Sequence, residues 1–165
     1  MIMKKRLYLM MGIPGSGKTT EAKSWIKSWE SWTDWNIKYV SRDEIRFSII
    51  SAEDEYFAKE KDVFNRFVQE VQEGIDNYDV TIADATFLNW PSRRKLLNRL
   101  HGLSDIQVNV IWCKCDLERA AIRNSDRKGR ARVPDNVIRE MYASMTDPLD
   151  DPFDYNRVMV VNTNG

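Results

Sequence analysis

The chain is poor in several things that would each announce a class of function. It holds one histidine, His101, and two cysteines, Cys113 and Cys115. A single pair of cysteines two residues apart in an apolar run makes neither a zinc site nor an ordinary disulfide. The expectation is two inert thiols in a reducing compartment. His101 stands next to Gly102 at the expected end of a helix, where a cation is favoured, so capping outweighs catalysis there. Net charge is also missing, with 25 Lys and Arg against 25 Asp and Glu. No global field recruits nucleic acid, and a polyanion would have to meet a local patch. No run approaches the ~20 apolar residues of a membrane span. The opening MIMKKRLYLMMG has too short an apolar part for a signal peptide. No repeat, low-complexity tract or linker interrupts the chain. What remains is an expected single cytoplasmic domain over residues 1–165, large enough for an ordinary core and without a membrane partner.

What is present is alternation. The runs RLYLMM, IKYVS, DVTIAD, IQVNVIWC and RVMVVN read as strands, and the segments between them carry helical periodicity. Helices are expected over KTTEAKSWIKSWESW, over AEDEYFAKEKDVFNRFVQEVQEGI, from about Trp90 to His101 with Pro91 in the first turn, over DLERAAIRNSDR and over DNVIREMYASM. Trp25, Trp29 and Trp32 recur on one helix face and are expected in the core. This pattern predicts an α/β fold, a parallel sheet of about five strands flanked by helices on both faces. Ligands of such sheets bind beyond the carboxyl ends of the strands.

Directly after the first strand stands Gly12-Ile13-Pro14-Gly15-Ser16-Gly17-Lys18-Thr19, followed by Thr20. It fits G-x-x-x-x-G-K-[ST] between a strand and a helix, the context of a P-loop. Glycines let backbone N–H groups converge on an anion, and the helix N-terminus adds the positive end of its dipole. Lys18 can reach the β- and γ-phosphates of ATP or another nucleoside triphosphate, and the Thr19 hydroxyl can bind Mg²⁺. Gly12, Gly15, Ser16, Gly17, Lys18, Thr19 and Thr20 are therefore the expected nucleotide-binding set. An Asn-Lys-x-Asp base-reading motif is absent, which argues against a GTPase. The strand VTIADAT ends in Asp84 followed by alanine, where a motor ATPase usually places a water-activating glutamate. Transfer to a substrate hydroxyl or phosphate is the better expectation.

Three places can serve an acceptor. In SRDEIRFSI, Asp43 and Arg46 are three apart, on one face if a helical turn begins there. A carboxylate there can take the acceptor's proton, and an arginine beside it can fork onto a phosphate or onto the carboxylate. Asp84 closes the third strand and can orient Arg46, bind acceptor, or reach the metal through water. In RNSDRKGRARVP, Arg123 and Arg127 lead a basic stretch around Gly129, read as a lid over the phosphates at about residues 127–133. Arg93 and Arg94 read as surface charges.

Taken together, GIPGSGKTT, SRDEIRFSI, IADATFLNWPSRR, RNSDRKGRARVP and VIREMYASM resemble the kinase domain of the phage polynucleotide 5′-hydroxyl kinases, within the P-loop kinases related to adenylate kinase. The resemblance covers nearly the whole chain. It implies that Lys18 and Thr19 bind triphosphate and metal, and that Asp43 is general base on a 5′-hydroxyl of DNA or RNA. It further implies that Arg46 holds the acceptor's 3′-phosphate, that Asp84 supports this acceptor pocket and that Arg127 contacts the donor phosphates. The family's best-known members add a phosphatase domain with Asp-x-Asp-Gly-Thr. No such motif is present here, so no phosphatase domain and no 3′-phosphatase activity are expected, and the oligomeric state is not implied. Asp126 lowers the positive charge of the lid. A kinase of the same fold acting on a nucleoside, nucleotide, modified DNA base or other small molecule remains as an alternative. A nucleotide-dependent switch or binding module is a second one, from another class.

Overall fold

The computed structural model describes residues 4–165. Arg6–Met11 forms β1, Lys18–Trp32 α1, Ile37–Ser41 β2, Arg42–Ile49 α2, Glu60–Asn77 α3 and Val80–Asp84 β3. Trp90–Leu97 forms α4, Gln107–Lys114 β4, Leu117–Ser125 α5, Asp135–Ala143 α6 and Arg157–Asn162 β5. The five strands make one parallel sheet in the order β2-β3-β1-β4-β5. Side chains alternate across a strand, and β1 divides accordingly. Leu7 and Leu9 pack with Phe67, Val71, Leu96 and Val110 under α3 and α4. Tyr8 and Met10 pack with Ala22, Trp29, Ile82 and Ile111 under α1. Both faces are thus covered, and β3 is buried along its whole length, as a central parallel strand must be.

Register sets the position of the chemistry. Asp84 at the end of β3 stands beside Met10 of β1 and Ser41 of β2. The loop after β1, the start of α2 and Asp84 therefore emerge along one edge of the sheet. Ser41 caps α2 by accepting from the Glu44 N–H at 3.2 Å, which is why the helix begins at the strand's last residue. Close packing of α3 on β3 depends on Gly74, where a Cβ would come within 2.5 Å of the Thr81 hydroxyl.

Four expectations are corrected. The helix expected from Ala52 begins only at Glu60. Its apolar stripe starts at Val63 and Phe64, whereas residues 51–59 turn, with Asp54 accepting from the Ser51 N–H at 2.8 Å and Tyr56 drawn towards Asp43. The helix expected to reach His101 stops at Leu97. The backbone of His101 is held instead by the Gln72 side chain, which accepts its N–H at 2.8 Å and donates to its carbonyl at 3.2 Å, so His101 caps nothing. Trp32 is 66% exposed, beyond the core that takes Trp29. Arg93 is no surface charge but wholly buried. Its Nε and Nη2 grip the two oxygens of Asp151 at 2.6 and 2.8 Å. Its Nη1 donates to the Phe87 carbonyl at 2.7 Å and Nη2 to the Thr146 hydroxyl at 3.1 Å. Tyr155 donates to the same aspartate at 2.7 Å. This brace ties the chain before β5 to α4 and to Phe87, a non-glycine residue at φ 47°. Among the described residues no helix is long and apolar enough to cross a membrane.

Candidate active site

The loop from β1 to α1 borders a cleft through Pro14, Gly15 and Gly17. Gly15 and Gly17 take φ of 83° and 89°, and a Cβ on Gly15 would lie 2.3 Å from the Ala120 carbonyl, so only glycine fits there. The N-cap Gly17 brings no side-chain cap to α1, which leaves N–H groups of the first turn for an external acceptor. The Ser16 hydroxyl is fully buried and unpartnered among the described residues. Among the described residues Lys18 and the exposed Arg127 make no ion pair either. Buried donors and uncompensated cations together fit a bound phosphate chain. The Cys113 thiol, under the same loop, is pushed up to about 12 by burial, which keeps it protonated and inert.

Lys18, Thr19, Thr20, Asp43, Arg46, Asp84 and Arg127 all line one cleft of about 230 Å³. Asp84 faces the loop. One of its oxygens accepts from the Thr19 hydroxyl at 3.0 Å and from the Tyr39 phenol at 2.5 Å. Burial and the Asp84 charge raise the phenol's pKa above its ordinary value, so Tyr39 remains a donor. No cluster of three or more metal-ligating side chains occurs among the described residues. Mg²⁺ needs only one or two protein oxygens beside waters and phosphates, and the Thr19 hydroxyl and Asp84 carboxylate are a donor set of that kind.

Asp43 and Arg46, in the first turns of α2, form the opposite wall. Nη1 of Arg46 bonds to Asp43 and to the Tyr56 hydroxyl at 2.9 Å, and Tyr56 donates to Asp43 at 2.6 Å. The other edge of the guanidinium meets Glu60 at 2.7 Å, and Glu60 also holds Arg42 at 3.0 Å. The Arg46 side chain is 5% exposed whereas Asp43 is 51% exposed. The arginine is anchored and the carboxylate projects into the cleft. Of the roles left open for Asp84, orienting Arg46 is not the one its hydrogen bonds serve, since its partners are Thr19 and Tyr39. Burial and Asp43 raise the pKa of Tyr56, so it too stays protonated.

Arg123 lies behind the loop. It donates to the carbonyls of Gly15 at 3.4 Å and Thr163 at 2.6 Å, joining α5, the loop and the end of β5. A second groove, lined by Gly15, Gly17, Thr20, Arg123, Arg127 and Thr163, opens there, and Arg127 borders both spaces. The basic loop after α5 contains a short 3₁₀ turn at Gly129–Ala131. Its base is closed by the buried Asn124, whose amide donates to the Val133 carbonyl at 2.6 Å and accepts from its N–H at 3.0 Å. Tyr39, Tyr56, Glu60 and Asn124 were not singled out from sequence. Tyr56 carried the only usable signal, as half of an aromatic pair inside the charged run EDEYFAKEKD.

A family model described as AAA domain matches residues 7–148. The chain belongs to that family. Among solved structures, this AAA domain is similar to a chain of the Pnkp1/Rnl/Hen1 RNA repair complex, at 20% identity and TM-score 0.68 over 87% of this chain and 45% of that one. A sugar kinase from Janibacter sp. HTCC2649 matches at 17% identity and TM-score 0.65, over 96% and 86%. Kti12 from Chaetomium thermophilum, in complex with ADP-AlF3, matches at 16% identity and TM-score 0.68, over 94% and 88%. The chain spans under half the length of the RNA-repair chain it matches. The fold is that of the P-loop kinases, a five-stranded parallel sheet with a nucleotide-binding loop.

Proposed function

We propose that this AAA domain transfers the γ-phosphoryl group of ATP to the 5′-hydroxyl end of a DNA or RNA strand. The observation that carries the reading is the single cleft holding Lys18, Thr19 and Arg127 on one side and the projecting Asp43 on the other. In this reading phosphate binding and a hydroxyl-activating carboxylate share one cleft, as an in-line transfer requires. The likeness to a chain of an RNA repair complex is consistent with a polynucleotide acceptor.

In this reading the acceptor oxygen bonds to the γ-phosphorus while the bond from phosphorus to the ADP oxygen breaks. Asp43 takes the hydroxyl proton, a contribution of about 10²–10⁴-fold. Lys18 and Arg127 lie beside the charge that develops on the transferred group. Thr19 and Asp84 would hold Mg²⁺, which when bound neutralises phosphate charge. Arg46 fixes Asp43 and offers Nη1 to the acceptor's 3′-phosphate in exchange for its contact with Tyr56.

The test offers γ-labelled ATP and Mg²⁺ to a 5′-hydroxyl oligonucleotide, a nucleoside 3′-monophosphate, a plain nucleoside and a free sugar. Wild type and Asp43→Asn are compared. Label on the first two acceptors, lost in the variant, supports the proposal. Label on the nucleoside or sugar alone replaces it with a small-molecule kinase.

A further inference from the structure

Phe57 is 47% exposed, a large apolar ring left in water at the wall of the cleft. Among the described residues, Tyr56 and Phe57 are the only aromatic ones lining that cleft. The two rings meet edge to face, with centroids 4.6 Å apart and planes at 82°. The Tyr56 hydroxyl in turn rests on Asp43, and the Arg46 guanidinium lies 4.3 Å from the Tyr56 centroid and 5.6 Å from that of Phe57. The exposed ring is therefore fixed one side chain away from the carboxylate that meets the acceptor hydroxyl. The charges of this wall cancel, because Arg42 and Arg46 are matched by Asp43 and Glu60. With its charges matched, this wall offers the exposed ring as an apolar face to a flat group beside the reacting hydroxyl.

We propose that Phe57 is the stacking surface for the base of the acceptor's 5′-terminal nucleotide, and so a specificity-determining residue. The proposal rests on the polynucleotide reading above and deepens it. Every base has a π-face, so stacking of this kind holds a strand end without reading its sequence. It also requires that the terminal base be unpaired, since a base within a duplex has its faces covered.

The test measures kcat/KM for two 5′-hydroxyl oligonucleotides that differ only in carrying a base or an abasic sugar at the 5′-terminal position. Wild type, Phe57→Ala and Phe57→Trp are compared, and the readout is the ratio between the two acceptors within each protein. Wild type is expected to favour the base-bearing end by about 10–100-fold. Phe57→Ala should bring that ratio close to unity, and Phe57→Trp should retain it. A wild-type ratio near unity overturns the stacking role while leaving the 5′-hydroxyl kinase standing. So does a Phe57→Ala variant that slows both acceptors in proportion, because the ring then only supports Tyr56 and Asp43. If neither oligonucleotide accepts phosphate and a free sugar does, the two proposals fall together.

Discussion

Two buried arginines separate a part of this molecule that holds the fold from the part proposed to act. Arg93 and Arg46 are both almost fully buried, and each grips acidic side chains within 3 Å. In both regions a tyrosine donates onto the arginine's carboxylate partner, Tyr155 onto Asp151 and Tyr56 onto Asp43. The difference lies in the carboxylate. Asp151 has a side chain only 2% exposed, enclosed by Arg93 and Tyr155. Asp43 is half exposed and looks into a cleft beside the phosphate loop. Burial and pairing of an arginine do not by themselves mark a functional site. What sets the proposed site apart is an anchored arginine whose partner is left open to solvent.

The sharpest way to break this comparison is to neutralise the two aspartates separately. Asp43→Asn should lower phosphoryl transfer by about 10²–10⁴-fold, at a cost of about 0.2–1 kcal/mol of stability for its half-exposed ion pair, because Glu60 still neutralises the buried Arg46. Asp151→Asn should do the reverse. It leaves a buried guanidinium without its counter-charge, at a cost of about 3–5 kcal/mol, while the folded fraction keeps its kcat. Denaturant melts and steady-state kinetics on both variants decide the matter. Loss of both properties in both variants would dissolve the distinction.

The same contrast explains what could be read in the sequence. The strands RLYLMM, IKYVS and RVMVVN coincide with β1, β2 and β5, because short apolar runs between turn-forming stretches are local signals of a buried parallel sheet. The phosphate loop was legible for the same reason, its residues being consecutive. Arg93 was misread as surface charge, since its partner Asp151 lies 58 positions away and no pattern near SRRK announces it. Tyr39 was hidden within a strand, where an aromatic residue needs no functional explanation, and its hydroxyl finds Asp84 from 45 residues away. Tyr56 and Glu60 were submerged in an expected helix that the structure begins only at Glu60. Contacts within a few residues leave a pattern in sequence, whereas partners brought together by the sheet do not.

A second contrast lies within the basic residues around α5. Arg123 is committed to carbonyls of Gly15 and Thr163, whereas Arg127 is exposed and borders both grooves. Arg127→Ala should reduce kcat by about 10²–10³-fold, the usual loss of one donor to developing charge. Arg123→Ala should chiefly weaken nucleotide binding, seen as a raised KM for ATP. An equal loss of kcat in both would show that the two act as one unit.

Smaller in effect is the role of Tyr39 beside the phosphate loop. Its hydroxyl and that of Thr19 converge on a single oxygen of Asp84, so it orients the carboxylate without reaching the acceptor wall. With Asp84 in its proposed role of holding Mg²⁺, a group that orients it is worth about 10–100-fold in metal affinity. Tyr39→Phe should shift the Mg²⁺ dependence of nucleotide binding by about 10-fold, at the lower end of that range, and leave metal-free nucleotide binding unchanged. Titration of a fluorescent ATP analogue with and without Mg²⁺ measures both. An unchanged metal requirement would make Tyr39 part of the brace-like architecture rather than of the site.

The finest discrimination comes from alkaline pH. Tyr56 and Tyr155 both have their pKa raised by burial and by the carboxylate each one bonds. In the unfolded chain a tyrosine loses its proton near pH 10, while in the folded chain these two keep theirs beyond it. The unfolded state then binds fewer protons than the folded one, so stability must fall as pH rises past 10. Below that value the contribution of both hydroxyls is fully present. Tyr155→Phe and Tyr56→Phe should each make the alkaline decline of stability shallower, because each removes one group that resists ionisation only when folded. Only Tyr56→Phe should also alter transfer, since only its hydroxyl touches both Asp43 and Arg46. A Tyr155→Phe protein with a shallower alkaline melt and unchanged kinetics would separate the holding carboxylate from the acting one by the hydroxyl that each receives.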